Sequence, residues 1–501
     1  MSNKGSNEII FSSEFFKTIM QTLDSYKIRA LIDAKEDIIE AGIYSETQYF
    51  NILFKLIDEE KLKYELYEHL KEKDELNISH LEIFAENKHI QFKKALSLSY
   101  LLEREGLIDI EEIYEKTKNS EEETDTQIFK NLNFSVNDVD ITSIKPIYEP
   151  VQVIFDSSIC SGCGLCAGIC PMNCITINNG FGEINGDKCI KCGLCYYICP
   201  RSYLPVKLLN IYQDDASEVK NYSKIGVYKE AYSARTKIDE IKEVCQDGGV
   251  SSTCLYYLLE HNKIDLAIGA KMGEKLWCPE PTLIKDKKDI IETAGTKYVN
   301  NPNLKLLNEI DPEKKLAIVG VPCMMQALLK SKIYNIDLPI LHSIQYRIGI
   351  FCMESFPYEE GFLKICERLN VQVNDVKKTD INKGKFFIYT KNGEELNVAI
   401  KEVTNLARED CEVCYDLTSE SADISIGSIG APSGWNVVLV RNEKGKQLYE
   451  ALIENDLIES KPIEEVKPGL PLLLKIANSK RNKSSKHILK KIENEKRYPY
   501  Y

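Results

Sequence analysis

The sequence predicts a multidomain chain: an α-helical N-terminal domain, then a small α+β module organised by cysteine, then an α/β domain. Three observations predict it. Apolar residues recur at helical spacing through residues 8–118, with hardly any Gly or Pro. Two copies of one cysteine run fall between residues 160 and 200. From residue 222 onward, apolar β-rich runs alternate with helical ones. At 501 residues the chain also exceeds one ordinary core. The expected divisions are 1–125, an acidic helical docking domain; 126–150, a linker; 151–215, the cysteine module; 222–475, the α/β domain; and 476–501, a basic C-terminal tail.

In the first segment, Leu98, Leu101 and Leu102 within KALSLSYLLEREGLIDIEEIYEK carry the helical spacing. Short helices about a turn at Glu105-Gly106 also suggest a winged-helix-like domain. Residues 1–150 hold 18 Lys+Arg against 31 Asp+Glu, which is the whole net charge of −13. A nucleic-acid footprint is basic, so this acidity argues against nucleic acid and for docking on a protein. The polar run NSEEETDTQ at 119–127 reads as a break toward the linker. No apolar stretch approaches the roughly 18–20 residues that span a bilayer, so no direct membrane span is expected. The N-terminus lacks the basic start, apolar run and cleavage site of a signal peptide. A cytoplasmic chain is expected, in which cysteine clusters read as metal ligands before disulfides.

The first cysteine run is Cys160-x-x-Cys163-x-x-Cys166-x-x-x-Cys170-Pro171, and the second is Cys189-x-x-Cys192-x-x-Cys195-x-x-x-Cys199-Pro200. Three cysteines on one tight loop hold three irons of a cubane, and the fourth of each run ligates the other cluster. This is the pattern of a bacterial-type 2[4Fe–4S] ferredoxin module. Cys160, Cys163, Cys166 and Cys199 are assigned to one cluster, and Cys189, Cys192, Cys195 and Cys170 to the other. Gly162, Gly164 and Gly193 let the loops bend. Zinc sites use other spacings.

In the third domain, LAIGAK, KKLAIVGVPC, RIGIFCM, KFFIYTK and NVVLVRN are strand candidates, and SSTCLYYLLEHNK and MMQALLKSK are helices between them. From spacing alone, only Cys411-Glu-Val-Cys414 looks like half a metal site. Residues 475–501 carry nine Lys+Arg against two Glu, which reads as a solvated basic helix or, alternatively, a partner-steering tail.

The runs KIGVYKEAYSAR (224–235), CQDGGV (245–250), LWCPEPTLI (276–284), GTKY (295–298), VGVPC (319–323), GIFCMESFPY (349–358), NKGKFFIYT (382–390), CEVCYD (411–416), ADISIGSIGAPSGW (422–435) and PIEEVKPGL (462–470) follow one another through half the chain. Residues 222–475 thereby resemble the family of coenzyme F-420 hydrogenase/dehydrogenase beta subunits of methanogenic archaea. The resemblance implies an α/β flavoprotein domain that binds FAD, one [4Fe–4S] cluster and the deazaflavin F-420 as substrate. With the ferredoxin module in front, three [4Fe–4S] clusters are implied. Carried over by position, the third set of ligands is Cys323, Cys352, Cys411 and Cys414. Cys174, Cys245, Cys254, Cys278 and Cys366 are left as core residues.

For flavin and deazaflavin, the implied contacts fall in four places. Gln246, Gly248, Gly249, Ser251 and Ser252 precede or open a helix, a cradle for phosphate at its positive end. Gly295, Thr296, Lys297 and Tyr298 offer a cation, hydroxyls and a ring. Lys383 and Lys385 flank Gly384 and suit the anionic side chain of F-420. Ser428, Gly430 and Pro432 lie in a small-residue turn where backbone can approach a ring. No acid or base side chain is required. The resemblance implies hydride exchange between F-420 and FAD, then single electrons through clusters to a partner redox subunit. Partners left open are a hydrogenase, a formate dehydrogenase, a heterodisulfide-reductase-like complex and a membrane dehydrogenase complex. The alternatives are a ferredoxin-dependent flavin reductase of another organic substrate and a non-catalytic electron-wiring or redox-sensing subunit.

Overall fold

The computed structural model describes residues 61–71, 76–104, 107–118, 125–136, 151–189, 194–202, 204, 206, 209, 224–333, 338–494 and 496–499. Helix α1 covers residues 61–71, strand β1 is Leu76–Asn77, and helices α2, Ile78–Asn87, and α3, Phe92–Arg104, follow. Asn77 caps α2: its side chain accepts from the Ser79 amide at 3.1 Å, while the His80 ring accepts from the Asn77 amide at 3.2 Å.

Two expectations fail next. Residues 108–118, read as helix, form strand β2 (Ile108–Lys118), and residues 125–136, read as break and linker, form β3 (Asp125–Val136). They pair antiparallel, with β1 on the far side of β3. In Ile108-Asp109-Ile110-Glu111 the apolar residues alternate with period two, which is strand chemistry. Helix, strand, two helices and two strands, with sheet order β1-β3-β2, is the winged-helix arrangement. Residues 1–60 and 137–150 of the expected segments lie outside the described residues.

Among the described residues the cysteine module has a helical turn at Gln152–Asp156, the short helices α4 (Leu165–Gly168) and α5 (Leu194–Ile198), and a hairpin of β4 (Ile175–Asn178) and β5 (Phe181–Ile184). It shares one apolar core with the next domain: Ile159, Leu165 and Ile198 cluster with Leu304, Ile318 and Met325. Gly164 shows how close the contact is. Its φ is +88°, and a Cβ there would stand 2.7 Å from the Lys305 amide nitrogen and 2.8 Å from the Pro302 carbonyl oxygen.

The third domain is built on an eight-stranded mixed sheet ordered β16-β6-β15-β14-β10-β9-β7-β8. Its strands are β6 (Glu230–Thr236), β7 (Leu266–Met272), β8 (Pro279–Ile284), β9 (Leu316–Gly320), β10 (Ile344–Ile350), β14 (Ile424–Gly427), β15 (Asn436–Val440) and β16 (Ile458–Pro462). The middle four, β14, β10, β9 and β7, run parallel, and the outer pairings are antiparallel. All five expected strands are present, four of them here. The fifth belongs to a separate antiparallel sheet of β11 (Val376–Asn382), β12 (Lys385–Thr390) and β13 (Glu395–Ala399). Helices α6 (Val250–Glu260) and α7 (Pro322–Ile333) match the two read from sequence. Helix α8 is Glu409–Glu412, and α9 is Gly469–Glu493. The division expected at 475/476 therefore falls inside a helix.

Among the described residues, no helix is long and apolar enough to cross a membrane.

Candidate functional site

Parallel strands leave their carboxyl ends on one edge, where loops diverge and ligands bind in open α/β sheets. Here β9 is followed by Val321-Pro322-Cys323, β10 by Phe351-Cys352 and β14 by Ser428. These segments line one cavity of about 370 Å³. The apolar strands end where polar and sulfur-bearing side chains begin. The sheet thus presents three chain segments to a common space.

Cys323, Cys352, Cys411 and Cys414 all line this cavity. Cys323 sits at the start of α7, where unpaired amides carry positive charge. Cys411 lies in α8, with the Ser355 hydroxyl 3.7 Å from its sulfur. Burial pushes the Cys352 thiol up to about 11, against the pull of Lys480. Burial also pushes up Cys411 and Cys323. Thiolates in such surroundings need positive charge close by, and four of them suit a [4Fe–4S] cubane. Among the described residues, no three His, Cys, Asp or Glu side chains converge on a single-ion site.

That positive charge comes partly from an element the sequence reading set aside. The basic tail is not a solvated helix: Lys480, Ser484 and Lys491 of α9 are buried. The Lys480 ammonium donates to the Cys352 carbonyl at 2.6 Å and to the Asp416 carbonyl at 2.8 Å. Burial opposes its charge, yet Cys414, Cys352 and Cys411 hold its pKa above the ordinary lysine value.

The same cavity reaches the cysteine module, whose Ser161 and Arg201 line it. Arg408 donates from Nε to Asp410 at 3.0 Å and from one terminal nitrogen to the carbonyls of Cys160, at 2.6 Å, and Gly180, at 2.8 Å. Asp410 also accepts from Arg201 at 3.4 Å, and the Arg201 amide donates to the Cys199 sulfur at 3.4 Å. Lys330, on the helix that Cys323 begins, donates to the Cys199 carbonyl at 2.6 Å and the Ser202 hydroxyl at 2.8 Å. Burial pushes Cys160 up to about 12 and Cys163 up to about 11. The neighbours of Cys166 are Cys163, Cys160, Cys195 and Cys199, so cysteines of both expected groups stand beside it. Cys170 stands 3.4 Å from Cys174, which also neighbours Cys189. Cys195 is half-buried on α5. Cys192 and Gly193 lie outside the described residues.

Of the expected flavin and deazaflavin contacts, Gln246, Gly249, Ser251, Ser252, Gly295, Thr296, Lys297, Tyr298 and Ser428 line the cavity. Gly249 turns the chain at φ +71° into α6, which places Ser251 and Ser252 in the first turn. Gly248 packs instead: a Cβ there would meet the Ala234 carbonyl oxygen and the Asn436 amide nitrogen, each at 2.6 Å. The Gln246 amide donates to the Thr379 carbonyl at 3.3 Å and to Asp380 at 3.2 Å. Lys297 turns back onto the carbonyls of Thr293, Ala294 and Gly295 at 2.7, 2.9 and 3.2 Å, and burial lowers its pKa to about 8. The Tyr298 hydroxyl accepts from the Ile381 amide at 3.1 Å, and burial raises its pKa. Lys383, Lys385, Gly430 and Pro432 are not in the cavity lining. Lys383 and Gly384 form the β11–β12 turn, both at positive φ.

Sequence reasoning missed Asn300, Asn301, Arg201, Asp410 and Lys480 as cavity residues. The carbonyl oxygens of the Asn300 and Asn301 side chains are buried without a hydrogen-bond partner. The Asn300 oxygen faces the cysteine module, where a Cβ on Gly162 or Gly180 would stand 2.6 or 2.7 Å from it. The run Val299-Asn300-Asn301-Pro302-Asn303 directly after GTKY was the available signal. Of the five cysteines read as core, Cys254, Cys366 and Cys174 are buried; Cys245 and Cys278 are only partly so, and Cys245 lines the cavity.

Comparison with known proteins places this architecture. Residues 231–308 match the family model for the N-terminal part of the coenzyme F-420 hydrogenase/dehydrogenase beta subunit, and residues 313–466 match the C-terminal part. Residues 152–200 match the 4Fe-4S dicluster domain. The coenzyme F-420 hydrogenase beta subunit of Methanothermobacter thermautotrophicus is 37% identical over 268 residues, which is 53% of this chain and 95% of that protein. The chain belongs to the family of coenzyme F-420 hydrogenase/dehydrogenase beta subunits. A second relative, an F(420)H(2) dehydrogenase subunit of Methanosarcina mazei, is 33% identical over 346 residues, 68% of this chain and 94% of that one. Among solved structures, a chain of the F-420-reducing [NiFe] hydrogenase complex from Methanosarcina barkeri aligns at 37% identity with a TM-score of 0.52, covering 54% of this chain and 94% of that one. The family models begin after the winged-helix domain and end at residue 466, before α9.

Proposed function

We propose that this subunit exchanges a hydride between coenzyme F-420 and FAD in the cavity and passes single electrons through three [4Fe–4S] clusters to or from a partner redox subunit. One observation carries the reading. One cavity is lined by the first turn of α6, by the Gly295–Tyr298 segment and by all four cysteines Cys323, Cys352, Cys411 and Cys414. Bound FAD would supply the step that turns a two-electron hydride transfer into one-electron transfers. The protein's part is positional. The positive end of α6, with Ser251 and Ser252, suits phosphate. Apolar Val319, Ile350 and Ile426 border the space and limit water.

The cysteine groups are ordered for relay. Cys323 neighbours Cys163 and Cys414, so the set Cys323, Cys352, Cys411 and Cys414 stands between the cavity and the group Cys160, Cys163, Cys166 and Cys199. In the proposed order the second ferredoxin-type cluster comes last and hands electrons to the partner. The acidic segment 1–125 serves that partner as a docking surface, and salt should weaken the complex by screening.

Anaerobically purified protein should hold roughly 12 irons and 12 sulfides in three cubanes, with one FAD. It should oxidise reduced F-420 with a dye as acceptor. A reproducible content near eight irons at full flavin occupancy would remove the third cluster. Failure of F-420 to bleach the flavin would favour a reductase of another organic substrate.

A further inference from the structure

Helix α9 lies outside the family-model match, yet it is the element that closes over the Cys411–Cys414 segment. Lys480, Ser484, His487 and Lys491 recur at steps of four, three and four, which puts them on one face. Each meets the stretch 409–416 around it. Lys491 pairs with Glu409 at 2.8 Å, His487 lies 3.3 Å from Glu412, and Ser484 donates to the Val413 carbonyl at 2.8 Å. Arg481 pairs with Glu420. At the inner end of this face, Lys480 is 4% exposed and lines the cavity with the four cysteines. An ammonium has three N–H donors, and two of them go to the carbonyls of Cys352 and Asp416.

We propose that Lys480 is the positioning residue that sets the reduction potential of the cluster at Cys323, Cys352, Cys411 and Cys414, and that α9 exists in this chain to hold that charge in place. The inference rests on the proposed function, which supplies the cluster. Reduction adds one negative charge to a group whose four thiolates already carry four. A fixed cation nearby stabilises the reduced form more than the oxidised one, and burial keeps water from screening it. Lys480 therefore raises this cluster's potential, so that it accepts electrons from the cavity more readily. The carbonyl hydrogen bonds fix the ammonium where a solvated lysine would move away.

The test is a potentiometric titration of the holoprotein by electron paramagnetic resonance, with iron counted first, for the native chain, Lys480→Met, Lys480→Gln and Lys480→Arg. The expected result is a fall of about tenfold in the reduction equilibrium constant of one cluster in Lys480→Met, a midpoint about 59 mV lower for a one-electron couple. Lys480→Gln should show the same fall, Lys480→Arg should restore most of it, and the other two clusters should keep their midpoints. A native midpoint in Lys480→Met or Lys480→Gln at full iron content overturns the inference and leaves the third cluster standing. Loss of four irons from both neutral variants makes Lys480 a structural part of the loop and overturns it too. A native chain with only about eight irons removes the cluster itself, and the failure then belongs to the proposed function.

Discussion

Asp410 sits at the junction of the cysteine module and the α/β domain. It is 3% exposed and shares its carboxylate between Arg408 and Arg201, and through them it reaches the backbone of Cys160 and the sulfur of Cys199. Asp410→Asn keeps the shape and removes the charge, leaving two buried guanidiniums without the carboxylate they share. A loss of about 3–5 kcal/mol is expected, read as a lower apparent melting temperature in anaerobic calorimetry. Glu459→Gln, which breaks the exposed pair with Arg235, should cost under about 1 kcal/mol. Equal effects would place Asp410 outside any supporting role. Lys297 gives a pH signature. Its folded pKa, about 8, lies below the ordinary lysine value because of burial. The charged form is therefore disfavoured by folding below pH 8, and that penalty is relieved as pH rises from 8 toward 10.5. Native stability should gain on that of Lys297→Met across this window in denaturant midpoints; a flat difference contradicts it. At this scale the ferredoxin-type cysteines were legible because their spacing is itself the chemistry. Lys480 was not, because a lysine in a basic run looks solvated until the fold buries it.

Elements explain why some of the site could be read and some could not. Strands β7, β9, β10, β12 and β15 announce themselves as apolar β-branched runs, whereas Cys323 and Cys352 at the ends of β9 and β10 stood out only through the family resemblance. Strand β2 was hidden because Glu111-Glu112 and Glu115 interrupt its alternation and resemble a helical surface. Helix α9 was visible as a helix but not as a packed one, since its buried residues are Gly469, Leu473, Ala477, Lys480, Ser484 and Lys491, half of them polar. Polar residues bury only where partners wait, and those partners lie some 60 to 130 residues away in sequence. A chain ending at residue 468 should therefore keep its eight ferredoxin-type irons and lose about four, by iron assay and paramagnetic resonance. Retention of all twelve would show that α9 plays no part in holding the loop. Gly248→Ala tests the α6 cradle from the opposite side. The added methyl has no space between β6 and β15, so overpacking of about 1–3 kcal/mol and a lower flavin content are expected. Full flavin occupancy in that variant would detach the helix end from cofactor binding.

The whole molecule is less separable than its domain divisions suggest. The cysteine module and the α/β domain share one apolar core, and Leu66, Leu81 and Leu102 of the winged-helix domain cluster with Leu204, Leu329 and Tyr415. Tyr415 follows Cys414 directly, so this domain is packed against the segment that carries the third set of thiols. Composition revealed its acidity but not this contact, because contacts between distant segments leave no local pattern. Such packing would fix the distances between the proposed electron carriers. The central claim is that electrons leave the cavity only through the group at Cys323, Cys352, Cys411 and Cys414. Mixing anaerobic holoprotein with reduced F-420, then freezing and recording paramagnetic resonance alongside flavin absorbance, tests it for the native chain and Cys352→Ala. The native chain should bleach its flavin and then show reduced ferredoxin-type clusters, whereas Cys352→Ala, four irons poorer, should bleach its flavin while those clusters stay oxidised. Ferredoxin-type clusters that reduce at the native rate in the variant would contradict the account.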